Sequence, residues 1–190
     1  MKKLLFKMII ILLVIITGFC GYYGYLGYQI YQDKIQEQSL SERVNQLKSK
    51  EDYVTLDQIS PIYKEAVLES EDRRFYQHGP VDYYGLARAM FINITTFSFK
   101  EGGSTITQQL AKNLCLSFKK NLSRKFDHYS KDEILEMYLN ITYLGEGNYG
   151  IQAASQYYYH IDAIDLNKQQ CDILVKTLKR PSVYNPSKVN

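Results

Sequence analysis

An apolar run with lysines in front of it dictates the topology of everything that follows. The chain begins MKKLLFKMIIILLVIITGFCGYYGYLGY, with Lys2, Lys3 and Lys7 ahead of an apolar stretch interrupted in character only by Thr17 and Gly18. As a helix, residues 4–28 are long enough to cross roughly 30 Å of hydrocarbon, with Lys7 free to snorkel towards the headgroups. Tyr22, Tyr23, Tyr25 and Tyr28 fall where an aromatic belt would lie, and lysines before the span favour the cytoplasmic side. The rest of the chain is therefore expected outside the cytoplasm. A cleaved signal peptide is the competing reading. Phe19 is too bulky for the small residue that cleavage requires, and it also spoils a lipid-modified site at Cys20, so an uncleaved anchor is expected.

Beyond the anchor, a 190-residue chain that is 45% hydrophobic and 23% charged has enough material for one domain with a real core. Tyrosine is abundant, with 18 residues and no tryptophan. Its apolar ring and polar tip suit interfaces, sugar-binding clefts and membrane boundaries, although codon bias produces the same count. A net charge of +3, without a lysine and arginine stripe interleaved with aromatics, gives no footing for nucleic-acid binding. Cys20, Cys115 and Cys171 have neither a disulfide framework nor zinc-ligand spacing. Cys115 and Cys171 sit in helix-like apolar settings and read as buried thiols.

The pattern divides the chain into a cytoplasmic tip and transmembrane anchor over 1–29, a membrane-proximal helical stalk over 30–55, and a globular domain over 56–190. Helical periodicity marks 63–70 and 83–93. A third helix opens at GGSTITQQLAKNL, where Thr105 can cap and Gln108 stands as its reciprocal partner; Ile106, Leu110 and Leu114 mark its buried side. Ser130 and Glu133 form a second capping box at SKDEILEMYLN. There Ile134, Leu135, Tyr138 and Leu139 face inward, and Glu133, Glu136 and Asn140 share a polar side. GIQAASQYYY and LNKQQCDILVKTL continue as helices, while Pro181 and Pro186 predict an extended or turn segment for KRPSVYNP. No sustained alternation is present, so the expected fold class is all-α.

Three stretches carry polar chemistry. EDRRFYQH, residues 71–78, sets Glu71 beside Asp72 with Arg73, Arg74 and His78 nearby. Adjacent side chains on a helix point in different directions, so one of the two carboxylates is expected to face a cleft as a general base. In isolation the same run reads equally as solvated helix-end charge. GGSTITQQ couples free amides at a helix start to Ser104, Thr105, Gln108 and Gln109, a donor set suited to sugars or phosphates, or simply a well-made cap. The nucleotide-loop pattern ending in Gly-Lys is missing. KKNLSRK, residues 119–125, is basic enough to compensate a pyrophosphate leaving group, to attract anionic lipids, or to form a solvated face.

Taken in order, these motifs resemble the peptidoglycan glycosyltransferases, glycosyltransferase family 51. EDRRFYQHGPVD is similar to the family's first motif, GGSTITQQLAKN to the second, NLSRK to the start of the third, ILEMYLNITYLGEGNYGIQAA to the fourth and RPSVYNP to the fifth. The likeness covers residues 54–186. It implies a lysozyme-like helical domain on the outer face of the bacterial cytoplasmic membrane that polymerises lipid II, with inversion and loss of polyprenyl pyrophosphate. It assigns Glu71 as general base and places Asp72, Arg74, Phe75 and His78 in or near the cleft wall. Ser104, Thr105, Gln108, Gln109 and Lys112 would contact donor sugar and phosphate, and Arg124 and Lys125 the pyrophosphate. A divalent cation, Mg or Mn, would share that task, and Glu136 and Asn140 would line or brace the cleft. The apolar segment between the first two motifs corresponds to a membrane-facing jaw. Implied partners are lipid II, the growing lipid-linked glycan, the membrane and other cell-wall synthesis proteins such as penicillin-binding proteins.

The chain departs from the family pattern in its third motif. His128 stands where the family has a glutamate, and only Phe126, Asp127 and His128 separate Lys125 from Tyr129. Asp127 is the available stand-in for the second catalytic acid. Two readings stay open at this point: an active polymerase, and a catalytically impaired homologue that binds lipid II or wall-synthesis partners.

Overall fold

A computed structural model describes residues 2–37, 39–98, 102–115, 126 and 128–188. The chain divides into two units, Met1–Leu40 and Ser41–Asn190. The first is built on one uninterrupted helix, α1 (Lys2–Glu37). Among the described residues it holds the one segment long and apolar enough to cross a membrane, Ile9–Gln29, none of it buried within the protein. Thr17, a polar residue in this run, turns its hydroxyl back to donate to the Leu13 carbonyl at 2.8 Å, so that it does not face the surroundings as an unmet donor.

The second unit is helical throughout its described residues: α2 (Leu40–Lys48), α3 (Pro61–Glu71), α4 (Tyr83–Thr95), α5 (Ile106–Cys115), α6 (Lys131–Ile141), α7 (Ile151–Tyr159), α8 (Lys168–Lys179) and α9 (Pro181–Tyr184). Short 3₁₀ turns lie at Leu56–Gln58, Phe75–Gln77 and Ala163–Asp165. No strand occurs among the described residues, and a single isolated bridge pairs Tyr143 with Tyr149. The all-α class expected from the sequence therefore holds.

The core is organised around α6, whose Ile134, Leu135, Met137, Tyr138 and Leu139 are all buried. It packs along α5, which contributes Ile106, Leu110 and Leu114, while α3 packs along α8 through Tyr63, Val67, Cys171 and Leu174. Each large side chain withdrawn from water in this way contributes about 1.5–3 kcal/mol. Cys171 is a buried thiol, as expected, whereas the side chain of Cys115 lies outside the described residues. Both expected capping boxes are made. The Thr105 amide donates to Gln108 Oε1 at 3.0 Å and the Gln108 amide to Thr105 Oγ1 at 3.2 Å; Ser130 and Glu133 reciprocate in the same way at α6. Asn167 and Gln170 add a third at α8.

α2 belongs to the second unit: Val44 and Leu47 are each only 3% exposed, and Arg43 donates to the Leu114 carbonyl at the end of α5. One local outcome differs from the sequence reading. Residues 181–184 form one turn of α-helix where an extended or turn segment was expected. Pro181 occupies its first position, where a missing N–H removes no helix bond and the fixed φ suits the helix.

Gly150 shows how closely this unit is built. Its φ is +92°, and a Cβ placed on it would lie 2.6 Å from the Asn140 carbonyl oxygen. Replacing it with alanine incurs both a left-handed backbone penalty and a backbone collision. Gly150→Ala is expected to destabilise the protein by about 2 kcal/mol or more, read as a lowered urea midpoint; a change below about 0.5 kcal/mol would contradict this packing.

Candidate active site

Asp72, which ends α3, is 8% exposed, and both of its oxygens accept. Oδ1 lies 2.8 Å from His78 Nε2, and Oδ2 accepts from the Ile106 amide at 3.1 Å. Ile106 is the first residue of α5, so the carboxylate meets one of the unpaired donors at a helix N-terminus, where negative charge is also favoured by the helix dipole. The loop before α5 is fixed further by Thr105, whose hydroxyl donates to the Pro80 carbonyl at 2.7 Å. Gly103 then passes so near α4 that a Cβ would lie 3.0 Å from Leu86 Cδ1 and 3.2 Å from Leu86 Cα. The second glycine of the GG pair is thus required by close packing.

These contacts leave a cavity of about 720 Å³ between the end of α3, the start of α4, the start of α5 and the end of α8. Glu71 stands in its wall. Its Oε2 accepts from Gln109 Nε2 at 3.1 Å and its Oε1 from the Ser70 hydroxyl at 3.2 Å. Gln109 Oε1 in turn accepts from the Tyr138 hydroxyl at 3.1 Å. Arg74 sits 3.7 Å from Asp82 and 4.5 Å above the Tyr84 ring. Asp82 caps α4. The Gly85 amide facing it, with Arg74 and His78 adding positive charge, holds its carboxyl below the ordinary carboxylate range. Arg73, Arg88 and Lys179 bring further positive charge to the same cavity.

Of the residues singled out from the sequence, Glu71, Asp72, Arg74, Ser104, Thr105 and Gln109 line the cavity together. Phe75 is buried beneath the turn with the Lys131 ammonium 4.2 Å above its ring. Burial lowers the pKa of that lysine, and the nearby Asp72 carboxylate opposes the shift. His78 stands behind Asp72, with its other ring nitrogen facing the Gly79 carbonyl. Gln108 is engaged in the α5 cap, and Lys112 lies one turn further along the helix, exposed.

Glu136 and Asn140 do not line the cavity; they act as a brace. Glu136 accepts from the Tyr53 hydroxyl at 2.7 Å and the Leu56 amide at 3.1 Å. Asn140 pairs with both the amide and the carbonyl of Val54, at 2.9 and 2.8 Å. Arg124, Lys125 and Asp127 lie outside the described residues. Among the described residues no group of three or more His, Cys, Asp or Glu side chains could hold a metal ion.

Sequence reasoning overlooked Asp82, Tyr84, Arg88 and Lys179 as cavity residues. Asp82 carried a signal, since an aspartate directly before an apolar helix is a cap candidate. Lys179 carried none, because its place in the cavity wall is made by the packing of α8 against α3.

Residues 36–190 match the sequence profile of the transglycosylase family, and the chain belongs to that family. It is 40% identical over 149 residues to penicillin-binding protein 1A of Neisseria lactamica, covering 73% of this chain and 19% of that protein. To penicillin-binding protein 1F of Bacillus subtilis (strain 168) it is 40% identical over 163 residues, 80% of this chain and 23% of the other. The chain thus spans about a fifth of the length of these curated relatives.

The depressed pKa of Asp82 fixes the sign of its effect on stability. Its contribution is complete above the unfolded value, near about 3.9, and is lost as pH falls through the lower folded value. Urea midpoints measured from pH 5 down to the acid limit are therefore expected to fall less steeply in Asp82→Asn than in wild type. Equal slopes would contradict the assignment.

Proposed function

We propose that this chain polymerises peptidoglycan glycan strands from lipid II, with Glu71 as the general base. The observation that carries this reading is the Glu71 carboxylate, held by the Gln109 amide, in the wall of a cavity that also holds Arg73, Arg74, Arg88 and Lys179. Glu71 takes the proton of the acceptor's 4-hydroxyl as that oxygen attacks the anomeric carbon of the lipid-linked donor. The bond from that carbon to the pyrophosphate oxygen breaks, lipid pyrophosphate departs, and a β-1,4 bond forms with inversion. The cavity's cations balance the charge that builds on the leaving group. Ser104, exposed at the mouth of α5, and the donors of that helix start are suited to sugar hydroxyls or phosphate.

A divalent cation, Mg or Mn, would help to neutralise the pyrophosphate. Membrane association on the outer face fits two features taken separately. One is the Ile9–Gln29 segment with lysines before it. The other is α4, which exposes Leu86, Met90, Phe91 and Ile94, followed by Phe97 at 96% exposed. Such a face suits the headgroup and acyl-chain boundary. Lipid II, the growing glycan and other wall-synthesis proteins follow as partners.

Purified full-length protein in detergent, given lipid II with Mg or Mn, is expected to make lengthening glycan strands resolved on a gel. Glu71→Gln should slow this by about 10²–10⁴-fold, the range of a general base. Tight lipid II binding without polymer from wild type would overturn the polymerase reading in favour of a binding homologue. A chelator arm reports whether the divalent cation is required.

A further inference from the structure

We propose that Tyr138 is a positioning residue for the reaction: its buried hydroxyl anchors the Gln109 amide that donates to Glu71. The inference rests on the reading of Glu71 as general base and extends it to a residue that does not line the cavity.

A glutamine amide has two nearly isosteric ends of opposite hydrogen-bonding character, a carbonyl that accepts and an NH₂ that donates. An ionised carboxylate only accepts, so Gln109 supports Glu71 in one of its two orientations and opposes it in the other. Glu71 sets that orientation, and the phenol on the far side, which can donate or accept, holds the amide in place. Tyr138 is 1% exposed, and its hydroxyl reaches Gln109 Oε1 at 3.1 Å while Gln109 Nε2 reaches Glu71 Oε2 at 3.1 Å. Were the amide reversed, two oxygens would meet at Glu71; without the phenol the amide would lose the bond that holds it within reach of that carboxylate.

The phenol is a dependable donor. Burial, and then the charge of Glu71, push its pKa well above the ordinary tyrosine value, so it keeps its proton across the working pH range. The α6 backbone that carries it is anchored in the core by Leu135, Met137 and Leu139. Tyr138 therefore acts on Glu71 through two hydrogen bonds and touches no substrate.

Tyr138→Phe removes the hydroxyl and keeps the ring. Its expected effect is a kcat lowered about tenfold with KM within about twofold, the loss of one charge-assisted orientation. A double-mutant cycle separates this from a general loosening of the core. In a Gln109→Ala background, Tyr138→Phe should leave the residual kcat unchanged, because the group through which it acts is gone. Multiplying losses in the double variant, or wild-type kcat in the single one, would overturn the proposal.

A second readout needs no turnover. In full-length protein in micelles labelled with ¹⁵N at glutamine side chains, the Gln109 NH₂ resonance is expected to be shifted and slow to exchange, and to move towards the free-amide position in Tyr138→Phe. An identical resonance in both proteins would overturn the relay. Inactive wild type with a Tyr138-dependent resonance would sink the polymerase reading and leave the relay standing.

Discussion

Asp72 accepts from two segments that are far apart in sequence: the His78 ring within its own turn, and the first amide of α5 34 positions later. A buried carboxylate is stable only where its oxygens are met by donors, so the bond to Ile106 dictates where α5 begins relative to the end of α3. Much of the site follows from that placement. Gln109 stands one turn into α5, close enough to reach Glu71, and Ser104 lies just before the helix at the cavity mouth. Of the adjacent carboxylates, Asp72 is structural, while Glu71, its neighbour on the other side of the backbone, is left in the cavity.

The same separation of tasks runs along α6. One face of this helix contributes the core; another holds the 53–56 segment through Glu136 and Asn140, each with bonds to more than one group on that segment. Gly150 approaches the Asn140 carbonyl too closely for any side chain. Tyr138, in the middle of this helix, connects the core to the site through Gln109. A helix held this firmly can present a hydroxyl with little positional freedom, which is what an orienting hydrogen bond requires.

Charge in the cavity is mixed. Arg74 is paired with Asp82 and lies on the Tyr84 ring, so its position is set by α4. Arg73 pairs with Glu69 one helical turn earlier at 3.7 Å, both largely exposed, and such a pair contributes little to stability. The first guanidinium belongs to the framework of the site, and the second is free to follow a ligand's charge. Since α4 also exposes a continuous set of large apolar side chains, the helix that positions Arg74 is the one suited to meet lipid.

Much of this was legible in the residues themselves. Hydrophobic period gave the helices, the capping pairs Thr105 with Gln108 and Ser130 with Glu133 gave two of their starts, and the apolar run gave α1, because each of these depends on neighbours within a turn or two of chain. Residues 181–184 were misread because a proline was treated as a helix breaker without regard to its place at the first position. What the sequence could not decide depends on contacts between distant segments. That Glu136 and Asn140 brace, of the two roles expected for them, follows from the 53–56 segment packing against them. Lys179 became a cavity residue through the packing of α8 on α3. Local propensity determined which segments are helices and where polar groups cluster. Only tertiary packing decided which of two adjacent carboxylates is buried and which is open to a ligand, because that depends on which one meets the amide at the start of α5.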